Sequence, residues 1–401
     1  MQTATTFAHR VIVFLTCLLF VTLLALPTID RVLKFAPTTI IGEAGGRKTP
    51  TLKLDPRTWL PWFDTLRHGY LERHYNLRGL LITWASYLDT FVLASTSTSS
   101  QVAAGKDHWL FLAQDGARNI LEDARSPYPL PENAVALIAQ EMERRREWLA
   151  ARGIRYLVIV APNKNTVYPE KLPDSLRPAF ADEHLARFVA YVAAHTKVDI
   201  VDVTPAVVAQ KEQEQVFYST DSHWNANGAF AAYRAIVSHL VADFPAIVPL
   251  KRSQFNVERF NWLPGDLANM MGLAGHLKED RIMFVNKDWY KARGESFYGP
   301  MKQQYFEEPQ YSYTGNASLP NAIVFHDSFW WELLPFMAES FDRGLYVWLM
   351  PQTETEFRYF DTELIEKEKP DIVIDEYTER YILPTINGHF RIKTDAVAKA
   401  P

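Results

Sequence analysis

A serine, a histidine and an aspartate in two short motifs have the types and spacing of a nucleophilic catalytic site. The first motif, Thr220-Asp221-Ser222-His223-Trp224, places a carboxylate two residues before an imidazole. In an extended segment this spacing turns both side chains to the same side, where the carboxylate can fix the imidazole tautomer and stabilise the imidazolium. A second interpretation stays open, in which Asp221 caps the following helix and His223 is a polar surface residue.

The second motif, Phe325-His326-Asp327-Ser328-Phe329, lies where a predicted strand ends and a helix begins. The free N–H groups and the dipole of a first helical turn can stabilise an oxyanion. Ser328 in this place could be a nucleophile or a plain N-cap. A nucleophile needs a base, and the base needs an orienting carboxylate. Ser328, His223 and Asp221 supply all three groups, which favours a catalytic site.

Three further residues are candidates for binding the oxyanion or the substrate. Asn163 follows a predicted strand at the same edge of the sheet, and its amide could donate to an oxyanion or satisfy a turn. Lys164 could bind substrate or be solvated. Asp327, which directly precedes Ser328, is assigned to the same group of candidates.

A metal site is an alternative use of the same edge. Four potential oxygen or nitrogen ligands lie there, namely Asp221, His223, His326 and Asp327, and such ligands can hold a divalent ion for hydrolysis. The sequence lacks a compact ligand signature such as H-E-x-x-H. We therefore expect neither a metal nor another cofactor.

Strand-like and helix-like segments alternate along the chain around these motifs. Strands are predicted at 105–112, 154–160, 198–203, 216–219, 321–325, 345–349 and 371–374, and helices at 132–151, 180–195, 225–244 and 328–341. This alternation predicts an α/β fold with a mostly parallel sheet and helices on both faces, and sites in such folds form at the carboxyl ends of the strands. Residues 245–319 lose the alternation and are predicted to be an irregular insertion. Pro335 should kink or shorten its helix.

The N-terminus predicts export. Residues 11–26 are apolar and uncharged, slightly shorter than a typical spanning helix and longer than a typical secretory core. We predict an uncleaved signal anchor over residues 1–27, rather than a removed signal peptide. A linker and helical juxtamembrane region follow at 28–100, then a catalytic domain at 101–385 and a tail at 386–401.

The composition excludes several classes of protein. A net charge of -5 does not fit a nucleic-acid binder, which would usually carry a basic excess. The single cysteine, Cys17, excludes an intrachain disulfide and a cysteine zinc cluster. Aromatic residues reach 13%, which indicates a well-filled core or a carbohydrate-stacking surface.

Six stretches in order resemble the alginate O-acetyltransferase family (AlgX/AlgJ-like), whose core is similar to that of SGNH esterases. They are GKDHWLFL (105–112), APNKNTVYPEKLP (161–173), TDSHWNANGAFAAY (220–233), GDLANMMGL (265–273), VFHDSF (324–329) and PDIVIDEYTERY (370–381). The resemblance implies an SGNH-hydrolase-like, flavodoxin-like three-layer fold. It also implies a triad in which the family's Asp-x-His motif falls on Asp221 and His223 and its serine falls on Ser328. Relatives have glycine or arginine where this chain has His326.

The resemblance further implies an O-acetyltransferase that works in the periplasm on an exopolysaccharide, anchored in the inner membrane by its N-terminal helix. Such proteins work beside a multi-pass membrane acyltransferase that delivers acetyl groups. Two alternatives remain open: a carbohydrate acetylesterase of the same fold, and a non-catalytic subunit for polysaccharide binding or assembly.

Overall fold

The computed structural model describes residues 101–382, except 116–117, 127–131, 179–180, 262–263, 275, 286–292, 295–309 and 350–359, together with 13–18, 20–22, 25, 29, 84, 87 and 88. The chain divides into two compact units, residues 1–97 with 269–276 and residues 98–268 with 277–401. The main sheet and the candidate site both lie in the second unit.

The bounds of the elements follow the predicted alternation. The strands are β1 Val102–Ala104, β2 Leu110–Leu112, β3 Gln114–Asp115, β4 Arg118–Asn119, β5 Arg155–Ala161, β6 Asp199–Asp202, β7 Asn256–Asn261, β8 Asp280–Val285, β9 Arg293–Gly294, β10 Gln310–Tyr313, β11 Ala322–His326, β12 Arg343–Trp348 and β13 Ile372–Thr378. The helices are α1 Ile120–Arg125, α2 Glu132–Ala150, α3 Lys164–Val167, α4 Ala181–His195, α5 Thr204–Lys211, α6 Ala226–Asp243, α7 Asp266–Met270, α8 Trp330–Met337, α9 Thr362–Glu368 and α10 Glu379–Ile382.

The main sheet has the order β6-β5-β13-β11-β12-β10-β9. The first five strands pair in parallel, and β10 and β9 extend the sheet in antiparallel fashion. The prediction of a mostly parallel sheet is therefore confirmed. Because β13 lies between β5 and β11, the last of the described strands separates the two strands that candidate site residues follow.

Alternating side chains of the strands form one core on each face of the sheet. In β5, Leu157 and Ile159 pack into the core that contains α6 and α8. Tyr156 and Val158 point the other way, into the core that contains α2 and α4. A strand buried on both faces reads as a continuous apolar run, which is why the sequence reveals it. The result is three layers, as predicted.

Local signals set the ends of the helices nearest the site. The side chain of Asn225 accepts hydrogen bonds from the N–H groups of Asn227 and Gly228, so it caps α6. Helix α8 ends at Met337, two residues after Pro335, and continues as a 3₁₀ turn. The helix is shorter than predicted, but Pro335 lies inside it and does not end it. The N–H that proline lacks would have bonded to the carbonyl oxygen of Trp331, one turn earlier.

Two predictions, for residues 216–219 and 245–319, need correction. Residues 245–319 are not irregular throughout, because β7 and β8 form an antiparallel hairpin and β10 joins the main sheet beside β12. Residues 216–219 do not form a strand of the main sheet. Their ordered pairing is a single bridge from Phe217 to Trp224.

The predicted N-terminal anchor lies partly outside the described residues. Within its apolar run, residues 13–18, 20–22 and 25 are helical. In the portion of the chain that the structure describes, no helix has the length and apolar character required to span a membrane. Most of the predicted linker at 28–100 and the whole tail at 386–401 lie outside the described residues.

Candidate active site

Ser328 lies two residues beyond β11, at the carboxyl edge of the sheet. Its Oγ is 2.7 Å from Nε2 of His223. It is not an N-cap, because Phe329 precedes α8 without a side-chain cap, and the N–H of Phe329 donates to the carboxylate of Asp327 instead. The hydroxyl of Ser328 is therefore left to the imidazole.

His223 and Asp221 meet within a loop before α6, rather than at the end of a strand. Nδ1 of His223 is 2.6 Å from Oδ1 of Asp221. With the ring proton on Nδ1, Nε2 is left as an acceptor for the hydroxyl of Ser328. Asp221 does not cap α6, since Asn225 does so. The structure thus brings Ser328, His223 and Asp221 into one continuous chain of hydrogen bonds.

The loop that carries Asp221 and His223 is tied to the residue after Ser328 and to Glu279, which precedes β8. The indole N–H of Trp224 donates to the carbonyl oxygen of Phe329, at 3.0 Å. Glu279 accepts hydrogen bonds of 2.6–2.8 Å from the N–H and hydroxyl groups of both Ser219 and Thr220. These bonds fix the start of the loop, so the position of His223 depends on residues far away in the sequence.

The ammonium group of Lys164 donates all three of its hydrogen bonds inside the protein. Its Nζ donates to the carbonyl oxygens of Leu110, Ser219 and Asp221, at 2.6, 2.9 and 2.9 Å. Burial lowers the pKa of Lys164 to about 7, against the opposing charges of Glu279, Asp221 and Asp266. In the structure Lys164 therefore joins β2 to the loop that carries Asp221 and His223, and all three of its donors are engaged there.

Asp327 is buried, and its carboxylate is also engaged internally. It accepts from the N–H groups of Phe329 and Thr378, at 2.8 and 2.6 Å. Its own N–H donates to Glu376, whose pKa is raised well above its usual value by burial and then by the charge of Asp327. Asp327 therefore shapes the turn beneath Ser328 and joins it to β13.

Asn163 lies at the predicted edge of the sheet, two residues beyond β5. Its strand, β5, is separated from β11 by β13, which places the two strands about 10 Å apart. Its N–H donates to Glu379, and its buried side-chain oxygen has no hydrogen-bond partner among the residues that the structure describes. The end of β13, which was not predicted to contribute to the site, lies between Asn163 and Ser328.

The charges in the site support a basic imidazole. Burial opposes the charged form of His223, but Asp221 and then Asp266 raise its pKa above the ordinary value. Burial alone would raise the pKa of Asp221, yet the charge and hydrogen bonds of His223 hold it well below its usual range. The carboxylate therefore stays ionised and can stabilise an imidazolium.

A cluster of potential metal ligands exists within the described residues, but hydrogen bonds occupy it. The donor atoms of Asp221, His223 and Asp266 lie within 4.8 Å of one another. The facing atoms of Asp221 and His223 share a 2.6 Å hydrogen bond, and the hydroxyl of Ser222 donates to Asp266 at 2.6 Å. These ligand atoms are therefore already engaged in hydrogen bonds. Below, the relay means the chain of hydrogen bonds from Ser328 through His223 to Asp221.

Comparisons with known proteins agree with this fold. Residues 102–296 match the family model described as the SGNH hydrolase-like domain of acetyltransferase AlgX. A probable alginate O-acetylase AlgJ from Pseudomonas fluorescens is 29% identical over 167 residues, which cover 41% of this chain and 40% of that protein. The namesake from Pseudomonas syringae pv. tomato is 23% identical over 320 residues, covering 74% of this chain and 73% of that protein. Over these matched stretches the chain is similar to the alginate O-acetylases.

A solved structure shares the fold of this chain. Bacillus cereus PatB1 superimposes with a TM-score of 0.53 at 16% identity, covering 73% of this chain and 99% of that one. At this identity the likeness concerns the fold alone. The matched family region ends before Ser328, so the geometry of the relay rests on the structure of this chain.

Proposed function

We propose that this chain is an exported O-acetyltransferase that places acetyl groups on hydroxyls of an exopolysaccharide through Ser328, His223 and Asp221. One observation carries the proposal, namely the unbroken relay from the hydroxyl through the imidazole to the carboxylate. Three groups of the required types, drawn from two separate segments, meet at hydrogen-bonding distance. That is the arrangement by which a base activates a serine.

In the first half-reaction, Nε2 of His223 takes the proton of Ser328 as Oγ attacks the carbonyl carbon of an acetyl donor. The N–H of Ser328, which makes no hydrogen bond within the described residues, is available to the developing oxyanion. When the tetrahedral intermediate collapses, the bond to the donor's leaving oxygen breaks. That oxygen receives the proton from His223, and the acetyl group remains on Oγ.

In the second half-reaction, His223 takes the proton of a sugar hydroxyl, whose oxygen attacks the acetyl-enzyme. The bond from the acetyl carbon to Oγ breaks, and Ser328 recovers its proton from His223. Neither half-reaction requires a cofactor. Asp221 stays ionised throughout and stabilises the imidazolium formed in each.

The acceptor is proposed from the names of the similar proteins, and the cellular setting from the apolar N-terminal run. Their names, as probable alginate O-acetylases, support a polysaccharide acceptor for this chain. We propose that it works in the periplasm, held at the inner membrane by its N-terminal helix, and receives acetyl groups with the help of a multi-pass membrane acyltransferase. The acidic net charge of -5 does not favour nucleic acid as a partner.

The test uses the full chain, a chromogenic acetyl ester and a set of oligosaccharides, with mass spectrometry of the products. We expect transfer to an oligosaccharide, and a loss of several orders of magnitude in Ser328→Ala with an unchanged circular dichroism spectrum. Ser238→Ala is the control, because that exposed serine on α6 bonds only to a neighbouring carbonyl. Release of acetate without any transfer product would identify an esterase instead. Undiminished transfer by folded Ser328→Ala would refute the proposed nucleophile.

Labelling with a sulfonyl fluoride separates an enzyme from a non-catalytic subunit. An activated serine reacts with such a probe because its base removes the hydroxyl proton. We expect the wild type and Ser238→Ala to be labelled at Ser328, and Ser328→Ala to remain unlabelled. A wild type that does not react at Ser328 would favour a polysaccharide-binding or assembly role.

A further inference from the structure

Asp266, at the start of α7, lies against the loop that carries Asp221 and His223 and makes three hydrogen bonds with it. Its Oδ1 accepts from the N–H of Ser222 at 2.7 Å, and its Oδ2 accepts from the hydroxyl of Ser222 at 2.6 Å. Its own N–H donates to Oδ2 of Asp221 at 3.0 Å. Asp266 therefore contacts the carboxylate of the relay and the residue between the two relay members.

The carboxylate of Asp266 also lies close to the imidazole itself. Its Oδ2 is 3.7 Å from Nδ1 of His223, next to the 2.6 Å hydrogen bond that this nitrogen makes with Asp221. The imidazole therefore has two carboxylates on its Nδ1 side. Only one of them is hydrogen-bonded to the ring.

We propose that Asp266 is a positioning residue, which holds Asp221 and His223 in register through Ser222 and adds a second negative charge beside the imidazole. This inference rests on the proposed function, since it concerns the base of the same relay. The first part follows from the three hydrogen bonds, which leave the loop little freedom to rotate His223 away from Ser328. The second part follows from the 3.7 Å separation, at which an opposite charge favours an imidazolium.

Other charged groups around His223 also affect its pKa, and their effects must be distinguished from that of Asp266. Asp221 and Asp266 favour the imidazolium, whereas Arg380 from α10 opposes it. Glu332 from α8 is close enough to interact with both Asp221 and His223, and burial raises its pKa. Burial and the charge of Asp221 also raise the pKa of Asp266, which His223 and Ser222 counteract.

The structural alternative is that Asp266 merely begins α7. Its Oδ1 also accepts from the N–H of Leu267, at 2.7 Å, as a residue at a helix start often does. A cap of this kind would affect folding stability, but it would not change the proton affinity of His223. The titration of the imidazole therefore distinguishes the two roles.

The experiment compares the full-length wild type with Asp266→Asn, which keeps an oxygen acceptor for the N–H groups of Ser222 and Leu267 but removes the charge. NMR titration of His223, assigned with His223→Gln, gives its pKa without requiring turnover. We expect this pKa to fall by about one unit in Asp266→Asn. The acid limb of kcat/KM should move to lower pH by the same amount, with kcat reduced about tenfold and KM little changed.

Asp361→Asn is the matched control. Asp361 likewise accepts from a backbone N–H at the start of a helix, that of Leu364 at the start of α9, but it is not part of the site. We expect it to leave the titration of His223 unchanged. A folded Asp266→Asn whose His223 titrates within about 0.2 unit of the wild type would overturn the proposal.

Ser222→Ala provides a second route if Asp266→Asn does not fold. It removes the 2.6 Å hydrogen bond to Oδ2 of Asp266. Because this bond favours the ionised form of Asp266, the carboxylate is then less stable as an anion. The pKa of His223 should then fall by less than it would in Asp266→Asn, and no fall would overturn the proposal. Failure of the proposed function would appear separately, as undiminished transfer by Ser328→Ala, because the NMR titration does not depend on turnover.

Discussion

Replacing Gly265 with alanine should reduce catalysis by moving Asp221. A Cβ at position 265 would lie 2.4 Å from the carbonyl oxygen of Thr220 and 2.5 Å from Cβ of Asp221, whereas ordinary contact begins at 3.4 Å. The backbone of Thr220 and Asp221 must therefore retreat by about 1 Å. Glycine is needed here because the stretch of chain before α7 passes so close to the catalytic loop.

Two consequences of that displacement can be measured separately. Overpacking of this kind costs about 1–3 kcal/mol of unfolding free energy. A misplacement of about 1 Å in a catalytic constellation costs about a hundredfold in rate, since Asp221 would no longer align His223 with Ser328. We expect kcat for a chromogenic acetyl ester to fall about a hundredfold in Gly265→Ala, with urea unfolding reporting the stability.

Gly153→Ala separates position from stability. Gly153 follows α2 at the amino end of β5, away from the site, and has a φ of 71°, with no atom within 4 Å of the point where a Cβ would lie. Alanine there is strained by about 1–2 kcal/mol and should leave kcat unchanged. A folded Gly265→Ala with kcat within about threefold of the wild type would refute the reasoning, as would an equal fall in Gly153→Ala.

Two further predictions concern buried titratable side chains outside the relay. Arg145→Met leaves the buried carboxylate of Asp375 without the guanidinium that lies 2.7 Å away, so urea unfolding should show a loss of about 3–5 kcal/mol. Adding Asp375→Asn should restore most of it, and a loss below about 1 kcal/mol would contradict the prediction. Burial lowers the pKa of His326 to about 4, so an unfolded chain binds the proton more readily and stability falls as the pH drops from about 6.5 to 4. By pH 5 the loss is about 2 kcal/mol, and urea titrations at pH 7 and pH 5 should find it absent from His326→Gln.

The sequence was sufficient to predict the layers of the fold because buried strands and helices have recognisable patterns of apolar residues. Strand β5 is apolar on both faces, and the helices beside it carry one apolar face each, so their order predicts a covered parallel sheet. The two motifs were also sufficient to predict that Asp221, His223 and Ser328 would meet. The local geometry differed, since Asp221 and His223 belong to a loop, but a spacing of two residues allows the side chains to meet there as well.

The order of the strands in the sheet, and the contacts that hold the loop of His223, could not be predicted from such patterns. Nothing in the composition of β13 places it between β5, which precedes Asn163, and β11, which precedes Ser328. Glu279 and Asp266 act on a loop about 40–60 residues earlier in the chain. An acidic residue in a loop usually indicates only solvent exposure. The Gly265-Asp266 pair belongs to a stretch that resembles the family, but its close approach to Thr220 is apparent only from the backbone.

The two halves of the relay are held by different means, and this decides where the site is vulnerable. Ser328 follows a central strand, whose hydrogen bonds to both neighbours and buried faces fix its position. His223 has no such support, because its loop joins no strand of the main sheet and is located by Glu279, Lys164, Asp266 and the indole of Trp224. Substitutions among these anchors should therefore displace the base while the sheet remains folded. Loss of activity with retained stability is the expected signature of the half-buried anchors Glu279 and Asp266. Loss of both is expected for the buried anchors Trp224 and Lys164, and for residues beneath Ser328.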